Sequence, residues 1–443
     1  MSLKVWIESL GCSKNQVDSE VMMGFLCSEG FGLAENPEQA DLIVVNTCGF
    51  VEAAAQESIE VIFDLAGLKE AGSCKKLIVA GCLFQRYGDK LRREMPEVDA
   101  FIGCGELGKI SEACRRALGA TQFALRSQPR FLYDHNTPRM PLKSGCSAYI
   151  KIAEGCDNRC SYCTIPGIRG AYRSRSTDSV VKEARALILK DIKELNVIAQ
   201  DTTYFGVPET GKEELTRLLR ELDAVRARKW IRLLYAHPGR ITKAVARAIA
   251  DSRSICHYVD IPIQHISDDI LKSMKRKGSS DDVRRAIDIL REEVTDIALR
   301  TTLMVGFPGE TDKHFNELLK FVIETKFDRL GVFKYSREPG TAAARLRGHT
   351  PEEVKDERSE ALMREQLAIS RRLNRSFIGK KMDVLVERID DEVPNSLIAR
   401  TYRDAPEVDG CVRIPCKGSP PVGEFVQIEI TGSHDYDLEG KLL

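Results

Sequence analysis

No run of apolar residues in this 443-residue chain approaches the ~18 that a bilayer span needs, so a membrane protein is not expected. Met1 to Glu8 offers no apolar core long enough for a secretory signal, which makes the cytoplasm the expected location. Neither sign of charge is in excess: 66 Lys and Arg face 66 Asp and Glu. That balance excludes a nucleic-acid binder working through global positive charge, while leaving room for a local basic groove. There is no low-complexity segment and no repeat of fixed period, which excludes a solenoid. The 43% hydrophobic and 30% charged composition argues against disorder, and the length suits about three domains at roughly 150 residues each.

Cysteine, by contrast, is plentiful, with fourteen copies. In a reducing cytosol these are not expected to be structural disulfides. They are also too sparse for a disulfide-stapled miniature fold. Clustered cysteines in a long intracellular chain point to metal or redox chemistry.

Residues 1–120 alternate apolar runs at 5–10, 42–46, 77–80 and 98–102 with helical patterns such as 19–29 and 52–68. Such alternation predicts an α/β domain, a parallel sheet covered on both faces. Residues 121–145 lack periodicity, carry Pro129, Asn136, Pro138 and Pro141, and read as a linker. Over 146–375 the alternation resumes, with strands expected at 149–153, 197–200, 231–235, 258–263, 300–305 and 330–333. Helical patterns fall at 177–190, 214–225, 281–293, 312–326 and 351–375. Six strand–helix units fall short of the ~250 residues of a full eight-unit barrel, so an open or partial (β/α) barrel is expected. Beyond it, residues 376–443 carry short strands at 382–388, 397–402, 410–414 and 425–430 between Pro, Gly and Asp turns, which predicts a small all-β barrel. Charge is unevenly shared: 1–120 is net −6, 376–443 is net −5, and the middle is +11.

The sharpest signal is Cys156-x-x-x-Cys160-x-x-Cys163, directly after the expected strand 149–153. Three thiolates on one tight loop can ligate three irons of a cubane cluster and leave the fourth open to an exogenous ligand. A structural zinc site wants four ligands, and no His stands nearby to complete one. Cys12, Cys48 and Cys82 are dispersed, 36 and 34 residues apart, yet each follows an apolar strand. In a parallel sheet the carboxyl ends of the strands share one edge, where ligands bind. Three cysteines at three such ends can converge on one ion or cluster, although a single one is more often a buried small hydrophobe. Cys104 sits in a similar place after 98–103 and keeps that ligand set from being unique.

The segment Ala153-Glu-Gly-Cys-Asp-Asn-Arg-Cys-Ser-Tyr-Cys-Thr-Ile-Pro166, at the end of the first strand of a (β/α) domain, resembles the radical S-adenosylmethionine superfamily. The resemblance implies an open iron that binds the amino and carboxylate groups of S-adenosylmethionine, with one-electron cleavage to a 5′-deoxyadenosyl radical. Tyr162 matches the superfamily's aromatic neighbour of the adenine. Gly11-Cys-Ser-Lys-Asn-Gln-Val-Asp-Ser-Glu20, Asn46-Thr-Cys-Gly49 and Gly81-Cys82 are similar to the N-terminal domain of the methylthiotransferases, and the C-terminal barrel resembles a TRAM domain. Together these cover nearly the whole chain. They imply a second 4Fe-4S cluster on Cys12, Cys48 and Cys82, whose open iron carries or activates the inserted sulfur, and an electron donor protein as a partner. Cys104 has no counterpart in that pattern.

Other polar residues stand where strands end: Gln200, Asp201, His237, Gln264, His265, and the loop from Gly306 to Glu310. In a (β/α) barrel this edge hosts the site. Gln264, Gly306 and Glu310 are therefore candidates for contact with the nucleoside or methionine part of the cofactor, each weighed against a turn or packing role. Arg169, Arg173 and Arg175 form a basic run that either binds a substrate acid or lines a solvated loop. No catalytic acid or base is assigned.

One branch of the methylthiotransferases modifies an adenosine of tRNA; another modifies an aspartate of small-subunit ribosomal protein twelve. Gly11-Cys-Ser-Lys-Asn15 is similar to the second branch, with Ser13 where that branch has Pro. Ile165-Pro-Gly-Ile-Arg-Gly170 and Asp404-Ala-Pro-Glu-Val-Asp-Gly410 are similar to it as well. Charge agrees, because phosphate contacts want a basic surface and a barrel of net −5 suits a basic protein partner. The implied reaction puts a methylthio group on an aspartate β-carbon: the deoxyadenosyl radical abstracts a hydrogen there, and the carbon radical captures methylated sulfur. S-adenosylmethionine serves as both methyl donor and radical source. Two readings stand beside it, the same chemistry on tRNA and a non-enzymatic metal-binding module of the ribosome or RNA.

Overall fold

The computed structural model describes residues 2–72, 74–142, 145–416 and 421–443. The chain divides into two compact units: Met1–Ser144, Lys151–Val180 and Ser336–Ala344 form one, and Gly145–Ile150, Val181–Tyr335 and Arg345–Leu443 the other.

In the first unit six strands pair in parallel in the order Gly32–Leu33, Lys4–Ser9, Leu42–Thr47, Lys76–Gly81, Ala100–Gly103, Phe123–Leu125. All six residues of Leu42–Thr47 are buried, as a sheet covered on both faces requires. Successive side chains point to opposite faces. Leu42 and Val44 join Val5, Ile78 and Ala80 in one core with Met22, Leu26, Ile110 and Ala113. Ile43 and Val45 join Leu77 and Val79 in the other, with Ala55, Ile62 and Leu83. The strand order reverses between Lys4–Ser9 and Leu42–Thr47, a switch point of the kind where open α/β sheets bind ligands.

The expectations need three corrections here. The helix expected at 19–29 runs Ser13–Ser28, because its first turns turn polar side chains inward: Lys14, Asn15, Asp18, Ser19 and Glu20 are all buried. Within the stretch read as a linker, Phe123–Leu125 is the sheet's last strand, and three residues are too few to show a period. Gly32–Leu33 at the opposite edge is shorter still. Lys143 and Ser144 of that linker lie outside the described residues.

The second unit holds an open six-stranded sheet in the order Arg329–Lys334, Ala298–Val305, Ile255–Asp260, Trp230–Leu233, Glu194–Ile198, Ser147–Lys151. The strands from Glu194–Ile198 to Arg329–Lys334 pair in parallel. The partial barrel expected from the sequence is thus present. Its C-terminal part is a closed barrel of five strands, not the four expected: Lys381–Ile389, Ser396–Thr401, Val412–Pro415, Leu438–Leu442 and Phe425–Ser433 in spatial order. The missed strand, Leu438–Leu442, has two charged residues and a glycine in five and lacks the β-branched pattern of its neighbours. Val384, Val386, Leu397, Ala399, Val412, Ile414, Ile428 and Ile430 fill the barrel.

Buried ion pairs join barrel and open sheet within this unit. Glu194 accepts from Arg232 Nε at 2.9 Å and pairs with Arg400. Burial opposes its charge, and the two guanidiniums outweigh that and bring its carboxyl down to about 2. Arg232 Nη1 donates to the Tyr402 carbonyl at 2.7 Å, Tyr258 Oη to Asp409 at 2.7 Å, and Arg329 Nε to Asp404 at 2.9 Å. The Asp404–Gly410 segment therefore anchors the barrel to the open sheet. No helix among the described residues is long and apolar enough to cross a membrane.

Candidate active site

Strand register in the first unit sets the strand ends level. Ser9 lies opposite Asn46, Thr47 opposite Gly81, and Gly81 opposite Gly103. Cys12 caps the helix that follows the first of these strands, Cys48 follows the second directly, and Cys82 opens the helix Cys82–Tyr87. Two glycines make the approach possible. At Gly11 (φ +85°) a Cβ would stand 2.7 Å from Cys48 Cβ and 3.1 Å from its sulfur. At Gly81 (φ +95°) it would collide with Asn46 Oδ1 and lie 2.9 Å from the Thr47 carbonyl.

Cys12 is exposed, Cys48 half-buried, and Cys82 and Cys104 buried, all as free thiols. The Cys48 thiol is pushed up to about 11, first by burial and further by the neighbouring Cys82 and Cys12. The Cys104 thiol donates to the Cys82 sulfur at 3.9 Å, and Arg169 Nη2 donates to the same sulfur at 3.1 Å. These bring the Cys82 thiol down to about 7, the Cys104 hydrogen bond first, in spite of burial. Cys48 is thus within electrostatic reach of both Cys82 and Cys12, and Cys104 stands beside Cys82.

The second triad rests on a miniature hairpin. Ala153–Glu154 pairs antiparallel with Arg173–Ser174. Gly155 (φ +82°) has no room for a Cβ, which would stand 2.6 Å from the Gly170 carbonyl and collide with that of Ala171. Across the loop the Cys156 amide donates to the Gly170 carbonyl at 3.1 Å, and the Cys163 amide to the Cys160 carbonyl at 3.1 Å. The Tyr172 amide donates to Asp157 at 3.1 Å. Cys156, Cys160 and Cys163 are half-buried thiols outside any disulfide, and Tyr162 between the last two is half-buried as well.

The basic run after this loop differs from the expectation. Arg169 neither lines a solvated loop nor waits for a substrate: it is 3% exposed and pairs with Asp18. Lys151 Nζ pairs with Asp18 too and donates to Glu154 at 2.6 Å. Burial works against both cations; the Asp18 and Glu154 carboxylates outweigh it for Lys151, and for Arg169 the neighbouring Cys104 and Cys82 do so together with those carboxylates. Arg175 is buried and donates to the Lys151 carbonyl at 3.1 Å and Ser179 Oγ at 2.9 Å. Arg173 is half-buried and donates to the Ala171 carbonyl at 2.6 Å. Sequence reasoning missed Asn15, Asp18, Lys151 and Glu154. The signal was available in part, since Asn15, Asp18 and Ser19 stand at i, i+3 and i+4 on one helix face.

In the second unit three of the candidate cofactor residues come together. Gln264 adopts a left-handed backbone (φ +70°), rare for a residue with a Cβ and a form of strain that clusters at functional sites. It is held there by hydrogen bonds to the strand beside it, from its amide to the Thr302 carbonyl at 2.9 Å and from the Met304 amide to its own carbonyl at 2.7 Å. Two residues beyond Met304, the Gly306 amide donates to Glu310 Oε2 at 2.9 Å, while Arg358 donates to Glu310 Oε1 at 2.8 Å. Both carboxylate oxygens of Glu310 are thus engaged in shaping the Gly306–Glu310 loop. Burial pushes the Glu310 carboxyl up, against these donors. His265, 3.7 Å from Glu310, is brought down to about 3 by burial, so this is no ion pair at neutral pH. His237 accepts from the Gly239 amide at 3.2 Å, and Asp201 from Thr203 Oγ1 at 2.6 Å, both of them turn roles.

Among the described residues no three His, Cys, Asp or Glu side chains stand ready to grip a single metal ion. A cubane cluster asks for something different, one thiolate for each ligated iron with the inorganic core between. Each triad offers three thiols outside any disulfide, and Gly11 and Gly155 provide the close backbone approaches that bring them there. The donor chemistry therefore fits iron–sulfur clusters better than a lone ion.

Comparison with known proteins agrees with this chemistry. Residues 4–103 match the Uncharacterized protein family UPF0004, residues 150–322 the Radical SAM superfamily, and residues 378–443 the TRAM domain. The chain is 47% identical to a ribosomal protein uS12 methylthiotransferase RimO of Geotalea uraniireducens, over 99% of this chain and 98% of that protein. It is 46% identical to the protein of the same description from Clostridioides difficile, over 100% and 99%. Among solved structures it is similar to TsrM, a radical S-adenosylmethionine methyltransferase from Kitasatospora setae, with a TM-score of 0.58 and 18% identity over 77% of each chain. That last likeness is one of fold.

Proposed function

The chain belongs to the RimO family of methylthiotransferases, and from that premise we propose that it attaches a methylthio group to the β-carbon of an aspartate in ribosomal protein uS12. It is a radical S-adenosylmethionine enzyme, and S-adenosylmethionine with a 4Fe-4S cluster comes with that membership. In our reading Cys156, Cys160 and Cys163 hold this cluster, and Cys12, Cys48 and Cys82 hold a second. The observation that carries the two-cluster assignment is the pair of thiol triads in one compact unit, with Arg169 from the loop of one hydrogen-bonded to Cys82 of the other.

Once bound, these groups would supply a 5′-deoxyadenosyl radical at one triad and methylated sulfur at the other. The chain's part is to position and enclose them. The Gly155 hairpin and the Cys160–Cys163 turn fix the loop thiols. Tyr162 is our candidate neighbour of the adenine of S-adenosylmethionine, and Gln264, Gly306 and Glu310 are each a candidate contact for its nucleoside or methionine part. Functionally we divide the chain into residues 1–120 for sulfur donation, a connecting stretch at 121–145, a radical domain at 146–375 and a TRAM-like barrel at 376–443. A net charge of −5 suits the barrel to a basic ribosomal protein. The reaction takes place in the cytoplasm and draws electrons from a donor protein.

The two other readings fall away. The full-length relatives named above carry the uS12 name, and a radical S-adenosylmethionine domain is not expected of a non-enzymatic module. The test is incubation of the anaerobically reconstituted protein with S-adenosylmethionine, a low-potential reductant and either uS12 or bulk tRNA, followed by mass analysis. The uS12 aspartate should gain one methylthio group and tRNA none. A methylthio product on tRNA alone would contradict the proposal.

A further inference from the structure

We infer that Arg169 is a positioning residue of the N-terminal cluster site, a guanidinium supplied by the loop of one triad that holds the Cys82 sulfur of the other. The inference rests on the proposed role of Cys82 as a cluster ligand. Arg169 ends the short helix Ile165–Arg169, six residues after Cys163. That segment is seated against the other triad at three points. Thr164 Oγ1 donates to the Phe50 carbonyl at 2.9 Å, two residues from Cys48. Ile168 packs with Cys82 and Cys104. Arg169 Nη2 reaches the Cys82 sulfur at 3.1 Å.

The planar fork of Arg169 is filled on both arms. Nη1 donates to Asp18 and, at 3.3 Å, to Glu154; Nη2 donates to Asn15 and to Cys82. Asn15 is itself fixed, donating to the Leu10 carbonyl at 3.0 Å and the Thr47 carbonyl at 2.9 Å. The guanidinium is therefore held from three sides and aimed at one sulfur. Asp18 and Glu154 have a second cation in Lys151, which does not touch Cys82. The two cations thus share the job of balancing the carboxylates, and only one of them contacts a thiol. A donor that is always charged, rigid and weakly hydrated suits such a buried contact. Hydrogen bonds to ligating sulfurs set cluster potential, and outer partners of metal ligands govern how firmly the metal is held.

The experiment uses the full chain with Cys156, Cys160 and Cys163 changed to Ala, so that any cluster sits on the N-terminal triad. Iron release to a chelator and the reduction potential are compared between this parent, Arg169→Lys and Arg115→Gln, a change to an exposed cation of the same unit that pairs with Glu29. A lysine keeps a positive charge beside Asp18 and cannot span Asp18, Asn15 and Cys82 together. Arg169→Lys should release iron ~10-fold faster and shift the potential downward. Arg115→Gln should stay within about twofold of the parent and leave the potential in place. Arg169→Gln, too short to reach the sulfur, carries the same expectation and replaces the Lys variant if that does not fold. Release at the parent's rate in the Arg169 variants, or equal acceleration by Arg115→Gln, overturns the inference alone. A parent that binds no iron overturns the two-cluster reading and this inference with it.

Discussion

Cys156, Cys160 and Cys163 lie within eight residues of chain, on a loop closed by a two-residue hairpin, whereas Cys12, Cys48 and Cys82 are gathered from three strands across 71 residues. The first set is written in its spacing, and a local turn suffices to bring the thiols together. The second exists only when strands pair in the right order and register, because nothing in the separate segments draws them to one edge. Both sets need glycine where backbones crowd, Gly155 for the loop and Gly11 and Gly81 for the sheet edge. The contrast teaches that a local site can survive much change elsewhere, while a site built by topology inherits every weakness of its sheet.

The largest effect that would break this contrast is on metal content. The reconstituted protein should bind roughly eight irons as two four-iron clusters, and changing either triad to Ala should remove about half. Iron and sulfide analysis of the two triple variants checks this; loss of all iron in either would mean one shared site. Acid should next separate the two compact units. His237 and His265, both in the unit without the triads, are brought down to about 2 and about 3, chiefly by burial. Their folded values lie below the unfolded value of about 6.5, so the unfolded chain takes up protons first as pH falls. Their contribution is complete above about pH 6.5 and is lost progressively below it, at about 1.4 kcal/mol per histidine per pH unit, until pH falls through the folded values of about 3 and about 2. Trp230 fluorescence in a Trp6→Phe variant, followed through urea unfolding across that range, reports on this unit alone.

Smaller, and more local, are the glycine effects. Gly81→Ala should cost the sheet edge about 2 kcal/mol from its left-handed backbone and more from the clash with Asn46. It should lower the iron held by the dispersed triad and spare the loop triad, with Gly155→Ala doing the reverse. Iron content of each variant, placed in the two triple-cysteine backgrounds, measures this. Smallest of all is the surface of the barrel. Asp390 is buried and pairs with Arg413 at 2.6 Å, so it is no free docking charge; Asp391 and Glu392 are exposed. Changing those two to Lys should weaken the encounter with uS12 by less than about 1 kcal/mol and fade with salt. Cleavage of S-adenosylmethionine without uS12 should not change.

Legibility followed the same division. The loop triad and the apolar strands at 42–46 and 77–80 could be read directly, because local spacing and β-branched runs carry them. The dispersed triad needed the further idea that strand ends share an edge. What escaped was polar and buried. Asn15 and Asp18 fall before the helix expected at 19–29, and Arg169 read as a cation for a substrate acid or a solvated loop, because their partners lie on segments more than a hundred residues apart in the chain. The strands Gly32–Leu33 and Phe123–Leu125 escaped for a different reason, as two or three residues cannot display a period.

The central claim is that the two triads are separate sites with separate tasks. Its most direct test is one reaction mixture, containing uS12 and the variant with Cys12, Cys48 and Cys82 changed to Ala, assayed for two products at once. The account predicts that 5′-deoxyadenosine still forms and that methylthiolated uS12 does not. Loss of both products in a folded variant, or methylthiolated uS12 at the wild-type level, would contradict it.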